Sequence, residues 1–124
     1  MNPSGALAGR RVVVTRAAEQ ADELVALLEQ SGAVAVVVPL IEIVAEPTGV
    51  AELSGLDLAE FDWVVVTSPN GAAHLVDVAS RHPMKPARVA AVGATTAAVL
   101  TAAGIAVALV PADQSAHGLL AELA

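Results

Sequence analysis

The sequence predicts an α/β fold, a three-layer α/β/α sandwich built on a five-stranded parallel sheet of order 2-1-3-4-5. Three observations carry that reading. Apolar runs at residues 12–14, 34–38, 64–66 and 107–110 are unbroken rather than alternating, as strands covered on both faces read. The intervals between the strands carry helical signals. The chain is 56% hydrophobic and only 15% charged, a composition suited to a sheet sealed between two helix layers. Its 124 residues suit one domain spanning residues 1–124 rather than two. A domain of that size buries roughly two-thirds of the surface its unfolded chain exposes, so it needs no disulfide or metal staple.

The elements follow in order. Residues 11–15 read as a first strand and 19–30 as a helix, with Leu24, Leu27 and Leu28 at the helical period. Ser31-Gly32 stops that helix, because glycine tolerates the left-handed position after a helix end. Residues 34–38 form a second strand, ended by Pro39. In residues 40–58, Ile41, Ile43 and Ala45 alternate with Glu42, Val44 and Glu46. This suggests a short extended piece before Pro47, followed by a helical turn or two. Residues 63–67 are the third strand. Ser68-Pro69 opens a helix over 70–80, serine as cap and proline in the first turn. His82-Pro83 and Lys85-Pro86 mark a loop, 88–92 the fourth strand, and 95–103 a helix ended by Gly104. Residues 106–110 are the fifth strand and 115–123 the last helix. Such alternation predicts right-handed crossovers. Leu28, Gly32 and Pro39 also echo Leu100, Gly104 and Pro111 at a constant offset. Duplication and the general likeness of helix–Gly–strand units both account for it.

Composition excludes several classes. The net charge is −7 and the six Lys and Arg residues are scattered. There is no basic stripe for nucleic acid, and aromatic residues for base stacking are nearly absent. The apolar runs fall far short of the ~20 residues that span a bilayer, so no membrane partner is expected. The N-terminus lacks the order of a signal peptide, and cysteine is absent, which makes the cytoplasm the default compartment. His74, His82 and His117 lack metal-ligand spacing, and no metal site is expected.

In open α/β sheets ligands bind beyond the carboxyl ends of the strands. The polar groups there are Thr15-Arg16, Thr67-Ser68-Pro69-Asn70, Gly93-Ala94-Thr95-Thr96 and Asp113-Gln114-Ser115. The order 2-1-3-4-5 sets Arg16 beside Ser68 and Asn70. Helix N-termini at the same edge suit carboxylate or phosphate groups. Each residue also has a plain structural reading: Ser68 and Thr95 as caps, Gly93 as a turn, Arg16 as a solvated cation. Trp63 and Phe61, at the start of the third strand, read as core or rim. No G-x-G-x-x-G follows the first strand and no P-loop lysine is present. The sequence after Thr15 does not supply a flavin phosphate loop. A receiver domain would need an aspartate and a lysine where Thr67 and Pro111 stand.

Taken in order, Leu7-Ala8-Gly9-Arg10-Arg11-Val12-Val13-Val14-Thr15-Arg16, Gly32 with Pro39-Leu40-Ile41-Glu42-Ile43, Asp62-Trp63-Val64-Val65-Val66-Thr67-Ser68-Pro69-Asn70-Gly71, Val89-Ala90-Ala91-Val92-Gly93-Ala94-Thr95-Thr96-Ala97, Val110-Pro111 and Gly118-Leu119-Leu120 form an ordered set. That set resembles the uroporphyrinogen-III synthase family. The resemblance implies a cofactor-free lyase of tetrapyrrole biosynthesis. Its substrate, the linear tetrapyrrole hydroxymethylbilane, is cyclised with loss of water and inversion of the last ring. By motif, Thr15, Arg16, Thr67, Ser68, Asn70, Gly93, Thr95 and Thr96 would face the substrate cleft. Family members are about twice as long, with two similar halves and a tyrosine near the cleft, whereas this chain has no tyrosine.

The resemblance also implies that the first βαβ unit and the later strands of this half belong to different domains. Alone, the half has two ways to fold. Closure joins all five strands into one flavodoxin-like sheet and leaves a monomer, the arrangement expected here because it avoids the entropy of association. Exchange between two chains gives a swapped homodimer. Closure goes with a folded scaffold of little or no activity, exchange with an active or tetrapyrrole-binding enzyme. An interaction module using the acidic surface is a third class.

Overall fold

The computed structural model describes residues 5–82, 84 and 87–123. They divide into two compact units, Met1–Ala45 and Glu46–Ala124.

In the first unit, β1 (Arg11–Val14) and β2 (Val34–Val37) pair in parallel, in register from Arg11 opposite Val34 to Val14 opposite Val37. A single 3-10 turn at Ala18–Gln20 and helix α1 (Asp22–Gln30) make the crossover. The end of α1 shows why glycine stands at position 32. Gly32 has φ +87° and donates to Glu29 O (2.9 Å), and Ala33 N donates to Leu28 O (3.0 Å). This pair of bonds is a Schellman motif, which satisfies carbonyls the helix would otherwise leave open. Val14, Ala17, Ala21 and Ala33 are buried. Leu24 and Leu28 of the predicted stripe are half-buried and Val25 joins them, while Leu27 is exposed. The opposite sheet face is open, and Val13 and Val34 are 61% and 54% exposed.

In the second unit, α2 (Pro47–Gly55) begins with Glu46 as its cap, the carboxylate accepting from Thr48 N and Gly49 N. Strands β3 (Trp63–Val66) and β4 (Arg88–Ala91) pair in parallel, from Trp63 opposite Arg88 to Val66 opposite Ala91. Helix α3 (Pro69–Ala79) crosses between them. Helices α4 (Ala94–Ala102) and α5 (Ala116–Leu123) follow. The core joins Leu58, Val66, Ala72, Leu75, Val78, Val89, Ala91 and Leu100. The Arg88 guanidinium lies 4.2 Å from the Trp63 ring centroid, a cation–π contact at the start of the paired strands.

The predicted five-stranded sheet is not formed. The strands fall into two two-stranded parallel sheets, β1-β2 and β3-β4, and the order 2-1-3-4-5 falls with it. Within the second unit the sequence order 3-4-5 survives in part. Leu109 makes an isolated parallel bridge to Ala90, with Ala91 N donating to Leu109 O (2.9 Å) and Ala108 N to Val89 O (2.8 Å). The bridge at Leu109 is isolated, so residues 106–110 stop short of a strand. Ile105, Val107 and Leu109 are half-buried, and Ala106, Ala108 and Val110 are exposed. The Gly104 turn repeats the Schellman bonds of Gly32, with Gly104 N donating to Thr101 O and Ile105 N to Leu100 O, both 3.0 Å. The sequence echo therefore marks two copies of one helix end. Its prolines differ, Pro39 being exposed and Pro111 buried. Pro83, Lys85 and Pro86 of the predicted loop lie outside the described residues.

Gly118 is held in the tightest place. A Cβ built there would run into the Asp113 carbonyl oxygen, whereas one at Gly55 meets nothing within 4 Å. Gly118→Ala should cost about 1–3 kcal/mol, the usual range for overpacking, and Gly55→Ala should not destabilise. Paired urea denaturation curves check this.

Candidate functional site

The second unit gathers three polar turns at the carboxyl ends of its strands. After β3 the chain passes through exposed Thr67 to Ser68, whose extended backbone (φ −148°, ψ 153°) leaves its Oγ free to accept from Gly71 N at 3.1 Å. Pro69 occupies the first helical turn, where its missing N–H costs nothing. Asn70 is half-buried on the same turn. After β4, Val92 N donates to Val66 O (2.9 Å), which carries the pairing one residue further and sets the two turns side by side.

Gly93 then turns the chain with φ 100° and ψ 143°, a backbone region open essentially to glycine alone. Helix α4 starts from it with no side-chain cap. Thr95 in its first turn is exposed, and Thr96 is 3% exposed. Thr96 therefore packs inward, while Thr95 is the threonine of this turn that solvent reaches. The third turn follows the bridge at Leu109. Ser115 Oγ donates to Asp113 Oδ2 (2.7 Å) and accepts from Gly118 N (3.0 Å), which fixes the start of α5. Gln114 comes to this edge as well, its Oε1 lying 3.6 Å from where a Cβ on Gly93 would stand. The sequence placed Gln114 after a strand but gave no sign that it reaches the Gly93 turn.

A hollow of about 190 Å³ runs beside β3, lined by Leu53, Val64, Val66, Thr67, Ser68 and Gly71. It joins an apolar wall to the hydroxyls of the first turn. Neither lysine nor arginine stands in these three turns. Their one charged residue is Asp113, and the donors on offer to a negative group are backbone N–H groups, including the uncapped first turn of α4, and hydroxyls.

Thr15 and Arg16 belong to the first unit, both exposed just beyond β1. A second hollow of about 430 Å³ lies at that end of the unit, lined by Ala18, Glu19, Pro39, Leu40, Ile41 and Glu42. Its two charged residues are both acidic. The structure thus brings together Thr67, Ser68, Asn70, Gly93, Thr95 and Thr96 in one unit, with Thr15 and Arg16 in the other. The strand order that set Arg16 beside Ser68 and Asn70 is not the observed one. A further apolar hollow, bordered by His82, Met84, Val89 and Ile105, lies at the amino end of β4, away from these turns. No cluster of metal-ligating side chains occurs among the described residues. None of the described helices is long and apolar enough to cross a membrane.

Comparison with known proteins agrees with the sequence resemblance. The family model described as uroporphyrinogen-III synthase HemD matches residues 22–124. A protein of Methanocaldococcus jannaschii that carries a provisional uroporphyrinogen-III synthase name is 31% identical over 90 residues. The match takes in 70% of this chain and 35% of that relative, so the chain spans about a third of the length of the curated relative it matches.

Ser68 gives a local test of how the edge is built. Ser68→Ala should lose about 1 kcal/mol with the cap, and Ser68→Asp should keep it. Thermal unfolding of the two variants side by side distinguishes them.

Proposed function

The chain belongs to the uroporphyrinogen-III synthase family, and from that premise we propose that it supplies one part of a tetrapyrrole-binding cleft in the cytoplasm. Alone it has little or no cyclase activity. The family substrate is a flexible chain rich in carboxylates, and its two ends must be held in one geometry for ring closure with inversion of the last pyrrole. Catalysis by positioning depends on enclosing both ends, and this chain matches only about a third of its relative.

The observation that carries the reading is the uncapped amino end of α4 at Gly93–Thr96, level with the hydroxyl turn at Thr67–Asn70. Such an edge receives carboxylates through backbone N–H groups without lysine. In this reading Thr67, Ser68, Asn70, Gly93 and Thr95 border the bound tetrapyrrole, and Thr96 supports the turn from within. Thr15 and Arg16, in the first unit, enter the proposal by the family resemblance alone. No cofactor takes part.

Freshly generated hydroxymethylbilane tests the activity. Spontaneous closure gives the type I isomer without ring inversion. The expected result is type I alone, at the rate of the protein-free control, and type III above that control would overturn the inactive reading. Binding is tested separately by titration with an octacarboxylate porphyrin. Thr95→Glu puts a negative charge at the positive end of α4, which disfavours an anionic ligand by about 1 kcal/mol, or roughly fivefold in affinity. Equal affinity of the variant and the unaltered chain would remove α4 from the site.

A further inference from the structure

Two polar groups from different parts of the second unit face the bare α-carbon of Gly93. Outside the glycine and its chain neighbours, a Cβ placed there would meet only Gln114 Oε1 at 3.6 Å and Thr96 Oγ1 at 3.9 Å. Thr96 is 3% exposed, yet its hydroxyl makes no hydrogen bond among the described residues. None of their side-chain oxygens is both sealed from solvent and unpaired, so Thr96 Oγ1 keeps a solvent contact of its own. A hydroxyl left without a protein partner on a side chain buried to that degree asks for one. Gln114 is exposed, and its side-chain amide is likewise without a hydrogen bond among the described residues. The backbone that carries it is held on both sides. Ala112 N donates to Glu122 Oε2 (2.9 Å), and Ser115 Oγ accepts from Gly118 N (3.0 Å), which ties the turn to α5 before and after Gln114.

We propose that Gln114 is a ligand-binding residue of this edge: its side-chain amide, the Thr96 hydroxyl and the first N–H groups of α4 together take one carboxylate of the ligand at Gly93. The inference rests on the reading of the edge as a tetrapyrrole site and deepens it by one residue. Gly93 leaves the room, since the two oxygens stand around the place a side chain would fill. A carboxylate only accepts, and it accepts from several donors at once. The Gln114 amide carries Nε2 beside Oε1, so a half-turn about its last bond brings N–H donors to the position Oε1 now holds. Thr96, which supports the turn from within, adds an O–H, and α4 adds the backbone donors that no side chain caps. Asp113, the one charge of the three turns, opposes an anion there. Its Oδ2 accepts from Ser115 Oγ (2.7 Å), and the Gln114 amide supplies the neighbouring donor that offsets it.

Titration with the octacarboxylate porphyrin tests the residue. Gln114→Met keeps the length of the side chain and removes the donor, and it should weaken binding about tenfold. Gln114→Glu sets a carboxylate against the ligand and should weaken binding further. Both variants should melt with the unaltered chain, because the side chain they replace is exposed and bonded to nothing in the described structure. Weaker binding with unchanged melting supports the proposal. Weaker binding with a lowered melting temperature makes Gln114 a prop of the turn and overturns it. Unchanged affinity of Gln114→Met overturns it as well, and leaves the edge standing where Thr95→Glu does weaken binding. An unaltered chain that does not take up the porphyrin overturns this inference and the tetrapyrrole reading together.

Discussion

A buried central strand organises the second unit. Val89, Ala90 and Ala91 of β4 are 2%, 0% and 0% exposed. Their backbone is paired with β3 on one side and bridged by Leu109 on the other. Buried backbone groups must find partners, so β4 fixes both neighbours, and through them the three turns at their carboxyl ends. Its side chains are small, which lets α3 and α4 lay Leu75, Val78 and Leu100 into one core. The first unit has no equivalent. Among the described residues β1 and β2 pair only with each other, and Val13 and Val34 on one face of the pair are exposed.

The local features were legible because their signals are local. The strand readings at 11–15, 34–38, 63–67 and 88–92 located all four strands to within a residue at their ends, and Gly32, Gly104 and Ser68 announced the helix ends they make. The partners of the strands were not legible. A run such as Val12-Val13-Val14 states that burial is favourable but not what supplies it. Here Val14 is buried while Val13 lies open. Reading every such run as a strand covered on both faces produced one sheet where there are two. The fifth predicted strand misled in a related way, since alternate residues of 105–110 pack inward without a full ladder forming. The cap of α2 was missed because Glu46 is an unusual capping residue and its carboxylate acts through the two amides after Pro47.

The candidate edge was legible as a set of turns. Its internal division of labour was not. Thr95 and Thr96 are neighbours of the same type, yet one meets solvent and the other is buried, a difference set by the helical rotation after Gly93. Gln114 joins the edge through a turn whose geometry depends on Ser115 and on the absence of a side chain at Gly118. The lack of basic residues there gives the edge its chemical character. An anion placed there would meet backbone and hydroxyl dipoles and no cation, with the Asp113 carboxylate as the one charge of the turns.

The stacked pair of Trp63 and Arg88 has a practical corollary. Trp63 and Phe61 are the only aromatic residues of the chain, and both lie in the second unit. Indole emission and near-ultraviolet absorption therefore report on that unit alone. The βαβ unit that precedes it is optically silent, so a melting curve followed by fluorescence would count one transition even where the chain undergoes two.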